Sequence, residues 1–280
     1  MENKVFQGIW IPTESKTNKK LGFLGFEILR ISKPFKIGVL YNYRYKRQSM
    51  FKKLMDRILG MVKNKLYYPG CLTKYALPEI LANYEKILKK MDIDYIMLKE
   101  QELCCGSPVL RAGYRKEFRQ VKEDNLELFK QYGVSRIIAS CPACYHMLKT
   151  EYGLEVEHIT QTILKNINRF DKDRFKGEKI TYHDPCHLGR YSDVYEEPRK
   201  ILEYLGFEVV ELKDNHDKSL CCGGGGGLRS YDIVIAKKIA RLRLNQVKTK
   251  KLITPCPMCY AHLKENAKEI EVMELSEVLV

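Results

Sequence analysis

No stretch of this chain approaches the roughly 20 consecutive apolar residues of a bilayer-spanning helix, so no transmembrane helix is expected. The opening residues, MENKVFQGIW, lack the basic segment and apolar core of a secretory signal. A cytoplasmic location, where thiols stay reduced, is therefore expected. Nucleotide loops are missing too. Five glycines follow Cys222, but no Lys-Ser or Lys-Thr follows them, and Leu228 stands where a GxGxxG fingerprint needs its third glycine. Cysteines three residues apart in series, the usual ferredoxin run, are absent, and residues 1–66 hold no cysteine at all. The aromatic–basic run YNYRYKR, Tyr41 to Arg47, has no RNA-binding motif beside it, so no nucleic-acid partner is expected.

What is present is an ordinary soluble composition, 45% hydrophobic and 30% charged over 280 residues, enough for one large domain or two smaller ones. The net charge of +14 is unevenly placed. Residues 1–66 carry 15 Lys+Arg against 4 Asp+Glu, whereas the other 214 carry 34 against 31. A nearly neutral body thus follows a basic leader. Within the leader, Phe51, Leu54, Met55, Ile58, Val62 and Leu66 recur at helical spacing among Lys52, Lys53, Arg57, Lys63 and Lys65. Residues 1–65 are accordingly read as a basic extension with an amphipathic helix. That helix either packs on the body or rests on an acidic partner or anionic membrane, which would place the protein at the inner face.

All ten cysteines fall into one repeated scheme. Each half reads as one Cys, a gap, Cys-Cys-Gly, a gap, and Cys-Pro-x-Cys. The gaps are 32 and 35 residues in the first half, 34 and 33 in the second. Flanking segments repeat as well: KLYYPGC, DYIMLKE, RIIAS and EVEHI read as strands in the first half, matched by KITYHDPC, FEVVELK, LITPCPMC and EVMEL in the second. Helical stretches lie between them, near Leu77–Lys90, Arg115–Gln131, Pro198–Leu205 and Asp232–Gln246. The expected fold is α/β: two tandem pseudo-symmetric repeats, residues 66–170 and 171–280, each a small parallel sheet flanked by helices. Ligands gather beyond the C-terminal ends of such strands, so five thiols should converge in each half.

Vicinal cysteines and a reducing location argue against disulfides. Zinc is a closer competitor, because Cys-x-x-Cys is a common half-site and His146 and His262 follow shortly after. Zinc takes four ligands, however, and each half offers five. Adjacent thiolates suit a polynuclear centre better, which favours iron–sulfur ligation, with zinc in one site left open.

This double motif resembles the cysteine-rich CCG domain found in heterodisulfide reductase and in related iron–sulfur oxidoreductase subunits. The resemblance covers about residues 66–280 and carries both motifs complete. It implies a noncubane 4Fe–4S cluster on Cys71, Cys104, Cys105, Cys141 and Cys144, and another on Cys186, Cys221, Cys222, Cys256 and Cys259. It also implies reduction of a disulfide of the coenzyme M–coenzyme B type, fed by a ferredoxin-like iron–sulfur subunit and a flavin subunit. An electron relay from a flavin dehydrogenase of the lactate, glycolate or glycerol-3-phosphate type to a quinone is the alternative, and a structural metal scaffold a third. Longer relatives begin with a two-cluster ferredoxin module, which residues 1–66 cannot supply, so the chain looks like the short form of the family.

Three further side chains are candidates for substrate chemistry. His183 and His187 flank Cys186, and Arg229 follows the glycines; they would protonate leaving thiolates or pair with an anionic substrate, or else simply pack, cap or sit at the surface. The two halves share CCG and a following Leu-Arg, while only the filling differs. Gly106, Gly223, Gly224 and Gly225 are therefore expected to let backbone approach a cluster, with the second site the more open.

Overall fold

The structure, a computed structural model, describes residues 63–280; the expected amphipathic helix falls almost wholly outside the described residues. Two parallel sheets form the body. The first contains β1 (Asn64–Tyr68), β2 (Val134–Ala139) and β3 (Val156–His158), in the order β1-β2-β3. The second contains β4 (Lys179–Tyr182), β5 (Glu208–Val209), β6 (Lys251–Thr254) and β7 (Glu271–Glu274), in the order β5-β4-β6-β7. Every strand pairing is parallel. The C-terminal residues of β1, β2, β4 and β6 are continuously buried instead of alternating, as expected for sheets covered by helices on both faces.

One expected strand is nearly absent. DYIMLKE contributes only a parallel bridge between Ile96 and Leu66. Two hydrogen bonds hold it, Ile96 N–H to the Lys65 carbonyl and Tyr67 N–H to the Ile96 carbonyl. The chain turns away at once, because Lys99 takes a left-handed φ of 47° and opens a short 3₁₀ turn. Its counterpart β5 is only two residues long. Each repeat therefore has a minimal edge strand beside its first strand, and the same strand order.

The helices of the first repeat are α1 (Cys71–Ala76), α2 (Pro78–Lys90), α3 (Ser107–Arg111), α4 (Arg115–Gln131), α5 (Pro142–Thr150) and α6 (Ile159–Lys165). Those of the second are α7 (Glu196–Tyr204), α8 (Leu228–Tyr231), α9 (Ile233–Leu244) and α10 (Pro257–Asn266). The motifs explain where several begin. Pro142 and Pro257 occupy the first helical position directly after Cys141 and Cys256, where proline's fixed φ suits a helix start and its missing N–H costs nothing. In α4 the buried stripe is Phe118, Val121, Asn125, Leu128 and Phe129. In α9 it is Ala236, Ala240, Arg243 and Leu244. Counted back from each Cys-Pro-x-Cys, positions 121, 125, 128 and 129 coincide with 236, 240, 243 and 244. The repeat is thus a repeat of packing as well as of sequence.

The halves are not separate beads. One apolar cluster joins Tyr67, Tyr84, Ile138 and Ile163 to Tyr182, Ile201, Leu252 and Leu275. Tyr84 of α2 also donates a 2.6 Å hydrogen bond to Glu274 at the end of β7.

Candidate metal centre

Each repeat delivers its thiols from the same three places. In the first, β1 runs through Gly70 into Cys71; Cys104 and Cys105 precede α3; and Cys141 and Cys144 open α5 behind β2. Their thiols are electrostatic neighbours in one string, Cys71–Cys104–Cys105–Cys144–Cys141, each shifting the titration of the next. The second repeat forms the corresponding string, Cys186–Cys221–Cys222–Cys259–Cys256. All ten cysteines are free, so none is spent in a disulfide.

The strings have a polarity. Hydrogen bonds from Cys105 and Cys71 hold the Cys104 thiol well below its ordinary range, and the Gly106 N–H adds to this. Hydrogen bonds from Cys186 and Cys222 bring Cys221 down to about 2. Cys71 and Cys186, which donate to these thiolates, are pushed up, with burial adding to the effect. Main-chain groups supplement the thiols: Gly223 N–H points to Cys221 Sγ and Gly224 N–H to Cys222 Sγ, both at 3.4 Å. Thiolate is the form that binds metal, so the backbone is arranged for the ligated state.

Close approach of the backbone explains the glycine at the end of β1, which sequence reasoning did not single out. Gly70 has φ of 80°, and a Cβ there would stand 2.9 Å from Cys144 Sγ. Gly223 has φ of 82°, and its Cβ would stand 2.7 Å from the Ala236 carbonyl oxygen. Gly106 packs against Phe118 and Gly224 against His262, whereas Gly225 has nothing within 4 Å of a Cβ position. The glycine run is therefore tight at its first two members and open at Gly225.

The two sites are framed by different side chains. In the first, Asn125 donates to the Cys104 carbonyl at 3.0 Å and Tyr152 donates to the Cys105 carbonyl at 3.1 Å. Tyr68 donates its hydroxyl to the Leu103 carbonyl. In the second, Arg199 grips Asp184 through two hydrogen bonds of 2.8 and 3.0 Å and reaches Glu211 at 2.6 Å. That network holds Asp184, two residues before Cys186.

Of the expected catalytic side chains, two lie at the second thiol set. His183 is fully buried, with a ring nitrogen within 4.8 Å of Cys222 and Cys259 Sγ. Its Nδ1 accepts a 2.9 Å hydrogen bond from Arg243 Nε. Burial, then Arg243, pushes its pKa down to about 3. His187 places Nδ1 3.4 Å from Cys186 Sγ. Burial first, then Arg111 and His146, brings it down to about 4, so it is neutral at pH 7. Arg229, by contrast, turns to Glu265 at 2.6 Å. The histidines considered as zinc ligands do not join the thiol strings. His262 Nε2 bonds the Ala236 carbonyl at 3.1 Å, and His146 Nδ1 pairs with Ser192 at 3.3 Å.

His146 instead helps build a polar seam between the repeats. Its ring meets His187 at 6.1 Å and Tyr191 at 5.6 Å, and His187 meets Tyr191 at 5.0 Å. The Arg111 guanidinium lies 5.4 Å from the centre of the Tyr191 ring. Arg111 ends α3, just after the first Cys-Cys-Gly, and His146 follows Cys144, so the seam joins the first thiol set to the Cys186 turn of the second.

Fold and site together define a duplicated parallel α/β protein with a five-thiol set in each copy. The chain belongs to the cysteine-rich CCG domain family, whose pattern matches residues 65–149 and again 180–264. It is 34% identical over 232 residues to an uncharacterized iron–sulfur protein of Methanococcus maripaludis, an alignment covering 76% of this chain and 45% of that one. It is 31% identical to the EtfAB:quinone oxidoreductase of Syntrophomonas wolfei, over 76% of this chain and 32% of the other. It is 30% identical to one of the subunits of the dihydromethanophenazine:CoB–CoM heterodisulfide reductase of Methanosarcina acetivorans, over 78% and 58%. The alignments thus span about a third to three fifths of these relatives' length.

Proposed function

We propose that this chain is an iron–sulfur oxidoreductase subunit that reduces a disulfide of the coenzyme M–coenzyme B type, with a noncubane 4Fe–4S cluster on each five-thiol set. The observation that carries this reading is the pair of five-membered thiol strings. A single zinc takes four ligands, so one such ion would leave one thiol of each string unused. The donor set fits a polynuclear iron centre on Cys71, Cys104, Cys105, Cys141 and Cys144, and a second on Cys186, Cys221, Cys222, Cys256 and Cys259. Such centres, when bound, supply the electrons that cleave a sulfur–sulfur bond.

The chain's own residues then bind and orient the substrate. The seam of Arg111, His146, His187 and Tyr191 meets Cys186 through His187, draws Arg111 and His146 from the segments that follow cysteines of the first set, and offers a cation for an anionic substrate group beside imidazoles held neutral. His187, against Cys186, is the group placed to hold a proton for a leaving thiolate. Electrons would enter from a ferredoxin-like subunit and a flavin subunit. The name of the Syntrophomonas relative supports a second reading, in which the chain relays electrons towards a quinone and cleaves no disulfide.

Anaerobic purification with iron and sulfide counts, followed by turnover with a reduced dye and the heterodisulfide, tests both. About eight irons per chain with dye-dependent thiol release is the expected result. Full iron with quinone reduction and no thiol release selects the relay. Fewer than about four irons per chain overturns both readings.

A further inference from the structure

Arg243 is fully buried and ranks among the largest such side chains of the described residues. Its hydrogen bonds go to His183 Nδ1 at 2.9 Å, the Asp214 carbonyl at 2.6 Å, Gln246 Oε1 at 3.0 Å and Ser219 Oγ at 2.9 Å. All four acceptors are neutral. A guanidinium has only donors, so His183 Nδ1 must accept, and the proton of the neutral ring must then sit on Nε2. That Nε2 is buried and has no hydrogen-bond partner among the described residues. The sulfurs of Cys222 and Cys259 are within 4.8 Å of a nitrogen of the same ring. An N–H fixed in direction, buried, and adjacent to a ligand set lacks only the sulfur acceptor that a bound cluster provides.

The first repeat has no such device. Counting back from each Cys-Pro-x-Cys, Leu128 stands at the position of Arg243 and Tyr68 at that of His183. Leu128 carries no charge, and the Tyr68 hydroxyl is already donated to the Leu103 carbonyl. The ligand frames are alike, but at these two matched positions the first repeat has an apolar side chain and a hydroxyl already used, whereas the second supplies a cation and a directed donor.

We propose that Arg243, acting through His183, makes the second thiol set the stronger electron acceptor of the two, with Arg243 as a positioning residue that aims the His183 Nε2–H at the sulfurs of Cys222 and Cys259. Hydrogen bonds to cluster sulfurs and nearby positive charge stabilise the reduced state and raise the potential. The order of acceptors is then built into the chain: electrons held by the first set run downhill to the second. The inference rests on the iron–sulfur reading above.

The test uses the fully loaded chain, in which two reduction midpoints are followed by electron paramagnetic resonance under anaerobic titration. Arg243→Leu copies the first repeat, and His183→Phe removes the donor at similar volume. Each should lower one midpoint by at least about 59 mV, a tenfold change for one electron, and leave the other in place. The double variant should fall no further than the larger single shift, since both changes act on one donor. Should Arg243→Leu fail to load, His183→Phe decides. In the unaltered protein labelled with ¹⁵N-histidine, one reduced signal should show coupling to an imidazole ¹⁵N and its exchangeable proton. Absence of that coupling, or fully loaded His183→Phe with both midpoints unmoved, overturns the inference. An iron count below about four in the unaltered chain instead removes the cofactor reading itself.

Discussion

At the scale of single residues, Gly70 and Gly225 bear opposite demands. Gly70 has a left-handed φ, and a Cβ there would press on Cys144 Sγ at 2.9 Å, so even a methyl group displaces a ligand. Gly70→Ala should therefore lose the first site's share, about half of the bound iron, while the second site keeps its spectrum. Gly225 faces open space, so Gly225→Val should keep its iron and lose turnover. Iron analysis beside dye-linked turnover checks both. Unchanged iron in the first variant, or lost iron in the second, would show that the glycines act otherwise.

At the scale of elements, each cysteine depends on the segment that presents it. The Cys186 turn hangs from the Asp184–Arg199–Glu211 network, in which Asp184 is 2% exposed. Arg199→Met would leave that carboxylate buried without its cation and should cost about 3–5 kcal/mol in denaturant unfolding. A loss within about 1 kcal/mol would mean that the turn is held by the sheet alone. The strands that carry the cysteines were legible, because a short apolar run ending in Cys, or in Cys-Pro, marks a strand and the helix after it. The edge segment at DYIMLKE was less legible. Its composition suits a strand, but its length is set by where Lys99 turns the chain, which depends on distant pairing. Asn125, Tyr152 and Arg243 escaped for another reason. A polar residue on a helix, such as Asn125, looks like part of a solvated face, Tyr152 lies in the turn after α5, and Arg243 lies in the basic run KKIARLRL. The signal that could have exposed it was the repeat itself, which puts Leu128 at the matching place in a buried stripe.

At the scale of the whole molecule, the halves share a core, and the Tyr84–Glu274 hydrogen bond ties them together. Burial pushes the Glu274 carboxyl up to about 7 from an ordinary 4.5, so the folded protein retains a proton that the unfolded chain releases. Its contribution is thus fully present below about pH 4.5 and is lost as pH rises through 7. The difference in stability between the natural chain and Glu274→Gln should fall by up to roughly 3 kcal/mol between pH 5 and 8, as the Gln variant has no proton to hold. A flat difference would mean that Glu274 is ionised in the folded state.

The shared core also bears on how unlike the two sites can become. In a dimer of identical chains, any substitution appears on both sides of the two-fold axis at once. Here the copies lie in one chain, so Tyr68 and His183, or Leu128 and Arg243, are encoded separately while the sheets beneath them stay matched. Fusion keeps the geometry of a symmetric pair and releases its chemistry from that symmetry.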